Sequence, residues 1–229
     1  MSGNQLPPGY AIGERGPATD PSLIAELRAI PVPVIGDCMG RIVGTSRLRP
    51  YHPATEPRLA GPALTVRVRP GDNLMLHKAM LLAEPGDVIV VDGAGDTNQA
   101  LIGGLMRTTA LSRGIGGFVI DGALRDVAEW AEGGMPVFAV GNSLRGPSKD
   151  GPGEINVPVA CAGLAVLPGD IVVADVDGVI CVRPCEIEPL LERCRAKLAD
   201  EERVRQENAS GATDVERIDN YLRSRGVQV

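Results

Sequence analysis

The sequence has few aromatic residues, and its basic residues are dispersed. Its 229 residues include one Trp, three Tyr and two Phe, and its 23 Lys and Arg are outnumbered by 29 Asp and Glu, giving a net charge of −6. Surfaces that bind nucleic acid combine a basic stripe with aromatic side chains that stack on bases. We therefore predict no nucleic-acid partner, while a small anion held by a single arginine stays possible.

Cysteine and histidine are also too few and too scattered for a zinc site. The five cysteines, at positions 38, 161, 181, 185 and 194, form no CxxC pair, and His52 and His77 lack metal-ligand spacing. Reduced, mostly buried thiols are expected, as in cytoplasmic proteins. No apolar run reaches 18 residues and none of signal length lies in residues 1–20, so we expect a soluble, cytoplasmic chain with no membrane partner.

Four common kinds of functional site lack their residues. The segment GAGDTN at 93–98 has Asn98 where a dinucleotide-binding loop requires glycine. Neither a GxxxxGK[ST] phosphate loop nor a GxSxG elbow occurs. The three lysines, Lys78, Lys149 and Lys197, lie outside apolar strands, which disfavours Schiff-base chemistry. What remains is chemistry with oxygen ligands around Mg²⁺ or Mn²⁺.

Hydrophobic patterning indicates a single α/β domain with an addition at each end. Residues 1–20 are predicted as a flexible arm, 21–185 as the domain and 186–229 as a C-terminal helical extension. The charged segment 189–207 has sparse apolar residues, so a helix there buries only a narrow stripe. That stripe can lie on its own domain or cover a neighbouring subunit, and the second arrangement is the one we predict.

Short strands and helices alternate within the predicted domain. Strands are expected within 61–72, 85–95, 117–121, 136–141 and 168–178, and helices at 21–30, 73–83, 101–114 and 123–132. The Gly- and Pro-rich segment 142–158 is predicted as a loop.

The stretch GGFVIDGALRDVAEW, residues 116–130, places a cation and a carboxylate side by side just after a buried strand. Asp121 is interpreted as the turn residue that ends this strand, and Trp130 as a packing or interface aromatic rather than a stacking platform. From the residues alone, Arg125 and Asp126 allow two interpretations. They form a surface ion pair or helix start that contributes roughly 0–1 kcal/mol, or a site where a metal meets an anionic substrate, because functional groups collect where buried strands end.

The order of motifs from 85 to 183 resembles the RraA-like family. PGDVIVVDG, GGLM, TTALSRGIGGFVIDGALRD, GMPVFAVG and GPGEINVPVACAGLAVLPGDIVVADVDGVICV follow one another as they do in that family, and the resemblance covers 32–185. The family includes class II aldolases for 4-hydroxy-4-methyl-2-oxoglutarate and 4-carboxy-4-hydroxy-2-oxoadipate. The resemblance implies an α/β fold of the swivelling β/β/α sandwich type, and a homotrimer or dimer of trimers with active sites between subunits.

The resemblance also implies roles for individual residues. Arg125 would bind the carboxylate and keto oxygen of a pyruvyl group, and Asp126 would hold a divalent cation, Mg²⁺ or Mn²⁺. The backbone amides of Gly103, Gly104, Leu105 and Met106 would bind the substrate carboxylate. A glutamate from a neighbouring subunit's C-terminal helix, Glu201 or the adjacent Glu202, would approach the metal through water.

One position departs from the aldolase pattern. The aldolases carry an acid 21 positions before the arginine of the Arg-Asp pair, and that position here is Gly104. The resemblance implies a metal-dependent lyase that cleaves a 4-hydroxy-2-oxo acid to pyruvate and a second keto acid, and that also decarboxylates oxaloacetate. The alternatives are a non-catalytic regulator that binds an RNA-degrading endonuclease, and a degenerate enzyme that binds pyruvyl acids but turns them over slowly.

Overall fold

A nine-stranded sheet with helices on its faces dominates the structure, a computed structural model that describes residues 7–211 and 214–229. The strands are β1 (Tyr10–Ile12), β2 (Arg49–Pro50), β3 (Leu59–Val68), β4 (Val88–Ile102), β5 (Gly117–Leu124), β6 (Val137–Asn142), β7 (Gly153–Ile155), β8 (Val159–Cys161), β9 (Leu164–Val166), β10 (Ile171–Asp175) and β11 (Gly178–Val182). The helices are α1 (Pro21–Ala29), α2 (Val32–Cys38), α3 (Leu74–Leu82), α4 (Gly104–Ser112), α5 (Val127–Trp130), α6 (Ile187–Ala209) and α7 (Val215–Ser224).

Four parallel strands, β3 to β6, lie side by side in chain order at the centre of the sheet. All eight residues of β5 are buried, as expected for a strand covered on both faces. The strands that flank this set, β7, β10 and β2, run antiparallel to their neighbours within it, and β1 pairs with β7 in parallel. The first half of β3 pairs with β10 and its second half with β7, while β2 pairs with β6 at the far edge.

The side chains of the central strands alternate between two cores. Phe118 and Ile120 of β5 pack beneath α3, α4 and α5, whereas Val119 packs on the opposite face against β8 to β11. A third cluster joins β10 and β11 to α1, α2 and α6. This layered arrangement confirms the predicted α/β class with a C-terminal helix.

The predicted C-terminal extension begins as a long helix that contacts its own domain. Leu190, Leu191 and Cys194 on the first half of α6 are buried with α1 and α2. Arg195 Nε lies 2.6 Å from Glu26 Oε1, and Lys197 Nζ lies 2.8 Å from Asp37 Oδ2. The apolar stripe on the first half of α6 therefore packs on its own chain. Contact between the rest of the extension and a neighbouring subunit stays a prediction.

The described part of the predicted N-terminal arm is held along the domain. Tyr10–Ile12 form β1, which pairs in parallel with β7. Arg15 Nη1 donates to Asp87 Oδ2 at 2.7 Å, and Asp20 Oδ1 accepts from the amide of Ser22 at the start of α1. A backbone ladder, an ion pair and a helix cap thus fix residues 10–20, while residues 1–6 lie outside the described ranges.

Asp121 is not a turn residue, and the prediction that the strand ends there was wrong. Strand β5 continues to Leu124, and Asp121 is buried within it. Its Oδ2 accepts a hydrogen bond from the amide of Ala162 at 2.8 Å. That partner follows β8, 41 residues further along the chain, so a local Asp-Gly pattern gives no sign of it.

Other predicted boundaries of helices and loops also differ from the structure, because strands occupy residues that were assigned to those elements. Strand β4 runs through GAGDTN to Ile102, with register shifts against β5, so the predicted helix 101–114 begins only at Gly104. The predicted helix 123–132 is reduced to one turn, Val127–Trp130, because β5 occupies its first residues. The predicted loop 142–158 contains strand β7.

The cysteines of the structure can be compared with the reduced, mostly buried thiols expected from the sequence. All five cysteines are free thiols; Cys161 and Cys194 are buried and Cys185 is exposed. Burial, with Cys38 beside it, raises the pKa of Cys194 to about 12, which keeps this thiol protonated and unreactive.

Among residues 7–211 and 214–229, no helix is both long and apolar enough to span a membrane.

Trp130 is confirmed as a packing residue, and replacing it with phenylalanine should destabilise the fold. Its ring is fully buried and meets Phe118 edge to face, and its Nε1 donates to the carbonyl of Arg125 at 2.9 Å. In the Trp130→Phe variant that carbonyl loses its donor, so the free energy of unfolding should fall by about 1–3 kcal/mol. Equilibrium urea unfolding measures the change; unaltered stability would mean that the indole hydrogen bond contributes nothing.

Candidate active site

The candidate site lies at the carboxyl ends of two neighbouring parallel strands. Ile102, the last residue of β4, pairs with Leu124, the last residue of β5. Gly103 and helix α4 follow the first strand, and Arg125 and Asp126 follow the second. Adjacent strand ends of this kind are where open α/β sheets bind ligands.

The backbone of Arg125 and Asp126 is fixed on both sides. The amide of Arg125 donates to the carbonyl of Ile102 at 2.9 Å, and its carbonyl accepts from the Trp130 indole. Asp126 then adopts a left-handed conformation, with φ 59° and ψ 44°, which turns the chain from β5 into α5. For a residue with a Cβ this conformation costs on the order of 1 kcal/mol. Costly backbone conformations of this kind are concentrated at functional sites.

The carboxylate of Asp126, which follows β5, bonds to the start of α4, which follows β4. Its Oδ2 accepts a hydrogen bond from the amide of Gly104 at 2.8 Å and lies 3.7 Å from Arg125 Nε. Both side chains are about two-fifths exposed, so their mutual attraction contributes little to stability. The contact with the first turn of α4 goes beyond a simple surface ion pair, because it orients the carboxylate toward the helix N-terminus.

Two of the four predicted amide donors are already engaged within the protein. Gly104 donates to Asp126, and Met106 donates to the carbonyl of Gly103 at 3.0 Å. In the described chain, the amides of Gly103 and Leu105 donate to no protein acceptor. These two amides, at the positive end of the α4 dipole, leave an opening for an anion beside Arg125.

A cavity of about 100 Å³ opens at this point and is lined by residues from four segments of the chain. The predicted residues that line it are Gly103, Leu105, Met106, Arg125 and Asp126, whereas Gly104 is not in its walls. The walls also include Asn73, His77, Pro147 and Lys149, which sequence reasoning did not assign to the site. Asn73 and His77 are four residues apart, so a helix starting at Asn73 places them on one face. This spacing is the one sequence pattern that could have indicated that Asn73 and His77 lie together. No local pattern in the sequence indicates that Lys149 lies near the ends of β4 and β5.

The electrostatics of the cavity favour anions. Burial, together with the nearby charge of Lys149, lowers the pKa of His77 and favours its neutral imidazole. Asn73 is 2% exposed; its Nδ2 donates to the carbonyl of Leu101 at 2.9 Å, and its Oδ1 has no partner among the described residues. Arg125 and Lys149 thus provide the positive charge, and Asn73 an acceptor.

Asp72 holds the loop that carries Lys149. Its Oδ2 accepts from Ser148 Oγ at 2.7 Å and from the amides of Asp150 and Gly151 at 2.7 and 3.1 Å. Burial alone would raise the pKa of Asp72, but these hydrogen bonds and one from the amide of Leu74 outweigh it, and the pKa lies below its ordinary value. The ionised carboxylate therefore fixes the loop against the start of α3.

The oxygen donors at the site fit a hard divalent cation. Asp126 Oδ1 has no protein partner in the described chain, and the carboxylate of Glu129 lies beside Gly104. Within the described residues, no cluster of three or more His, Cys, Asp or Glu side chains could hold a metal by itself. Mg²⁺ commonly binds to one or two carboxylates and takes its other ligands from water and substrate, which suits this donor set.

Neither of the predicted tail glutamates reaches the site within one chain. Glu201 Oε1 lies 3.0 Å from Lys197 Nζ, and Glu202 Oε2 lies 2.7 Å from Arg205 Nη1. Both face other residues of α6, so their predicted approach to a metal stays a prediction that requires a second copy of the chain.

Replacing Gly103 with alanine should impair any reaction at this site. A Cβ at position 103 would lie 2.5 Å from Asp126 Oδ2 and 3.0 Å from Arg125 Cγ, so both side chains must move. A displacement of about 1 Å in an active site can cost about 10²-fold in rate, and we expect a loss of that size in kcat/KM. The Gly36→Ala variant is a matched control, since a Cβ there meets no atom within 4 Å. Equal activity of the two variants would contradict the prediction.

Comparisons with known proteins agree on one family. A family model described as RraA-like, Aldolase/RraA, matches residues 32–181. A protein of Halalkalibacterium halodurans named "Putative 4-hydroxy-4-methyl-2-oxoglutarate aldolase" is 39% identical over 180 residues, covering 78% of this chain and 85% of the relative. A 4-hydroxy-4-methyl-2-oxoglutarate aldolase of Thermus thermophilus is 37% identical over 123 residues, covering 54% of this chain and 74% of the relative.

A solved structure adds a second kind of relative. The RNA-processing inhibitor RraA from Thermus thermophilus superposes with a TM-score of 0.61 at 30% identity, covering 67% of this chain and 92% of that one.

Proposed function

The chain belongs to the RraA-like family, and from that membership we propose that it is a divalent-metal-dependent lyase. It cleaves a 4-hydroxy-2-oxo acid by a retro-aldol reaction to pyruvate and a second keto acid. The relatives named as 4-hydroxy-4-methyl-2-oxoglutarate aldolases support the reaction class. The observation that carries the proposal for this chain is the Asp126 carboxylate, held by Arg125 and the amide of Gly104 in the wall of an anion-favouring cavity.

Each site residue has a defined part in the reaction. Arg125 donates hydrogen bonds to the carboxylate and keto oxygen of the pyruvyl end, and the open amides of Gly103 and Leu105 accommodate the carboxylate. As the C3–C4 bond breaks, negative charge develops on the keto oxygen, and Arg125 stabilises that charge more strongly in the transition state than in the bound substrate. The C4 hydroxyl releases its proton to water, and C3 of the enolate takes a proton from water to give pyruvate.

Asp126 is the residue that would hold the divalent cation, Mg²⁺ or Mn²⁺. When bound there, the cation would supply Lewis-acid polarisation of the keto oxygen. Asp126 itself contributes a fixed carboxylate, oriented by the amide of Gly104. The same site accepts oxaloacetate, because loss of CO₂ from this acid produces the same enolate without removing a hydroxyl proton. We therefore propose oxaloacetate decarboxylation as an accompanying activity.

A homotrimer or a dimer of trimers forms part of the proposal. Within one chain Glu201 is held by Lys197 on the surface of α6, and a neighbouring copy would bring it toward Asp126. Glu202 is the alternative, since it is adjacent on the same helix.

The second candidate function is regulatory. The solved structure named as an RNA-processing inhibitor shares the fold at 30% identity, which favours a non-catalytic role in binding an RNA-degrading endonuclease. The adjacent Arg125 and Asp126, facing a cavity, favour the enzyme over this alternative.

The proposal is tested by measuring pyruvate release from 4-hydroxy-4-methyl-2-oxoglutarate and from oxaloacetate, with Mg²⁺ or Mn²⁺ and with EDTA. Turnover that requires the cation supports the lyase. Absence of turnover of both acids, together with absence of Mn²⁺ binding, would overturn the proposal and favour the regulatory candidate.

A further inference from the structure

The carboxylate of Glu129 occupies the space that a side chain at position 104 would fill. A Cβ built on Gly104 would overlap the carboxyl group of Glu129, with Oε1 at 2.5 Å and Oε2 and Cδ still closer. Residue 104 is the position where the aldolase pattern has an acid and this chain has glycine. The structure therefore brings a carboxylate to this position from α5 instead of from α4.

The backbone geometry explains how Glu129 reaches Gly104. Asp126 and Glu129 are three residues apart across a single helical turn, and the amide of Glu129 donates to the carbonyl of Asp126 at 3.0 Å. Residues with this spacing lie on one side of a helix. Asp126 Oδ2 contacts the amide of Gly104, and the Glu129 carboxyl group lies over the Cα of the same glycine.

The charges around Glu129 are unbalanced in the described chain. Its side chain is exposed, and it forms no ion pair or hydrogen bond with any described residue. Arg125, a cation of the site, is already beside Asp126. Two carboxylates on one helical turn repel each other, and a divalent cation held by Asp126 would reduce that repulsion.

We propose that Glu129 is a positioning residue of the metal site, where its carboxylate orients the water around a divalent cation held by Asp126. The inference rests on the proposed function, since it assigns a further residue to that site. Gly104 is then required for a steric reason: any larger residue displaces the Glu129 carboxylate. The backbone at 104 has no left-handed φ, so the Glu129 side chain is what opposes a Cβ there.

Direct Mn²⁺ titration, by calorimetry or by the EPR signal of free Mn²⁺, tests this role independently of turnover. Loss of a residue that orients metal ligands typically lowers metal affinity by about 10–100-fold. We expect that loss in Glu129→Gln, and a similar one in Gly104→Ala, where the added methyl group moves the Glu129 carboxylate. Glu132→Gln is the matched control; it removes an exposed carboxylate three residues further on, 3.9 Å from Arg107, and should bind Mn²⁺ within about twofold of wild type.

A relocation experiment separates this role from a general loss of structure. The double variant Gly104→Asp with Glu129→Ala moves the carboxylate from α5 to α4. We expect it to recover most of the Mn²⁺ affinity that Glu129→Ala alone loses, with unfolding temperatures confirming that all variants fold.

The outcomes distinguish the two proposals. If the wild type binds Mn²⁺ and releases pyruvate while Glu129→Gln binds Mn²⁺ equally tightly, the role of Glu129 is overturned and the proposed lyase stands. If the wild type neither binds Mn²⁺ nor releases pyruvate, the proposed function fails, and the role of Glu129 fails with it.

Discussion

The Arg125→Ala variant is expected to lose about 10²–10³-fold in kcat/KM for pyruvate release. Removal of one preorganised donor to a developing oxyanion commonly costs this much, and Arg125 is a cation that lines the cavity beside Asp126. Its backbone is fixed by Ile102 and Trp130, so the side chain can be removed while the strand end keeps its place. Steady-state kinetics with oxaloacetate, which needs no hydroxyl proton transfer, isolates this effect.

Two further variants define the role of the guanidinium. Arg125→Lys keeps the charge but loses the planar fork, and should fall between wild type and alanine. Arg145→Ala removes an exposed arginine in the loop after β6, and its kcat/KM should stay close to that of the wild type. If Arg145→Ala and Arg125→Ala lose activity equally, only the general positive potential matters, and specific enolate stabilisation by Arg125 is excluded.

The Asp126→Asn variant is expected to lose metal-dependent turnover almost entirely, by about 10³-fold or more. Lewis-acid stabilisation of the transition state contributes several kcal/mol, and asparagine removes the charge that would hold the cation. The substitution is otherwise conservative: asparagine tolerates the left-handed backbone, and its side-chain oxygen can still accept from Gly104. The unfolding temperature should therefore change little.

The measurement for Asp126→Asn is pyruvate release with Mg²⁺ and with EDTA, alongside Mn²⁺ titration. The residual rate with Mg²⁺ should equal the rate of wild-type protein in EDTA. Residual turnover that EDTA still abolishes would show that the cation binds elsewhere, and Asp126 would lose its assigned role.

The order of strands and helices, and the pairing of a cation with a carboxylate after a buried strand, could be predicted from local patterns. Asp121 shows where this approach fails: an Asp-Gly pair is typical of a turn, but here the carboxylate is buried and bonded to the amide of Ala162, a contact that depends on how β8 packs. The same holds for Lys149, which Asp72 brings to the cavity through the loop between β6 and β7.

Glu129 represents the least predictable part of the site. Its spacing from Asp126 is visible in the sequence, but its relation to Gly104 depends on a one-turn helix lying against the start of another helix. The glycine at 104 marks an absent acid in the linear pattern, whereas in three dimensions it leaves space for an acid that comes from a different element.

The left-handed backbone of Asp126 has a consequence for engineering and for laboratory evolution. Glycine adopts this conformation without the Cβ penalty, but at 126 it would leave the amide of Gly104 without its acceptor, so the two effects on stability oppose each other. A variant with glycine at 126 should therefore stay folded, with little change in unfolding temperature, while it loses the carboxylate that we expect activity to require. Lineages selected for activity should keep aspartate at 126 and gain stability at other positions.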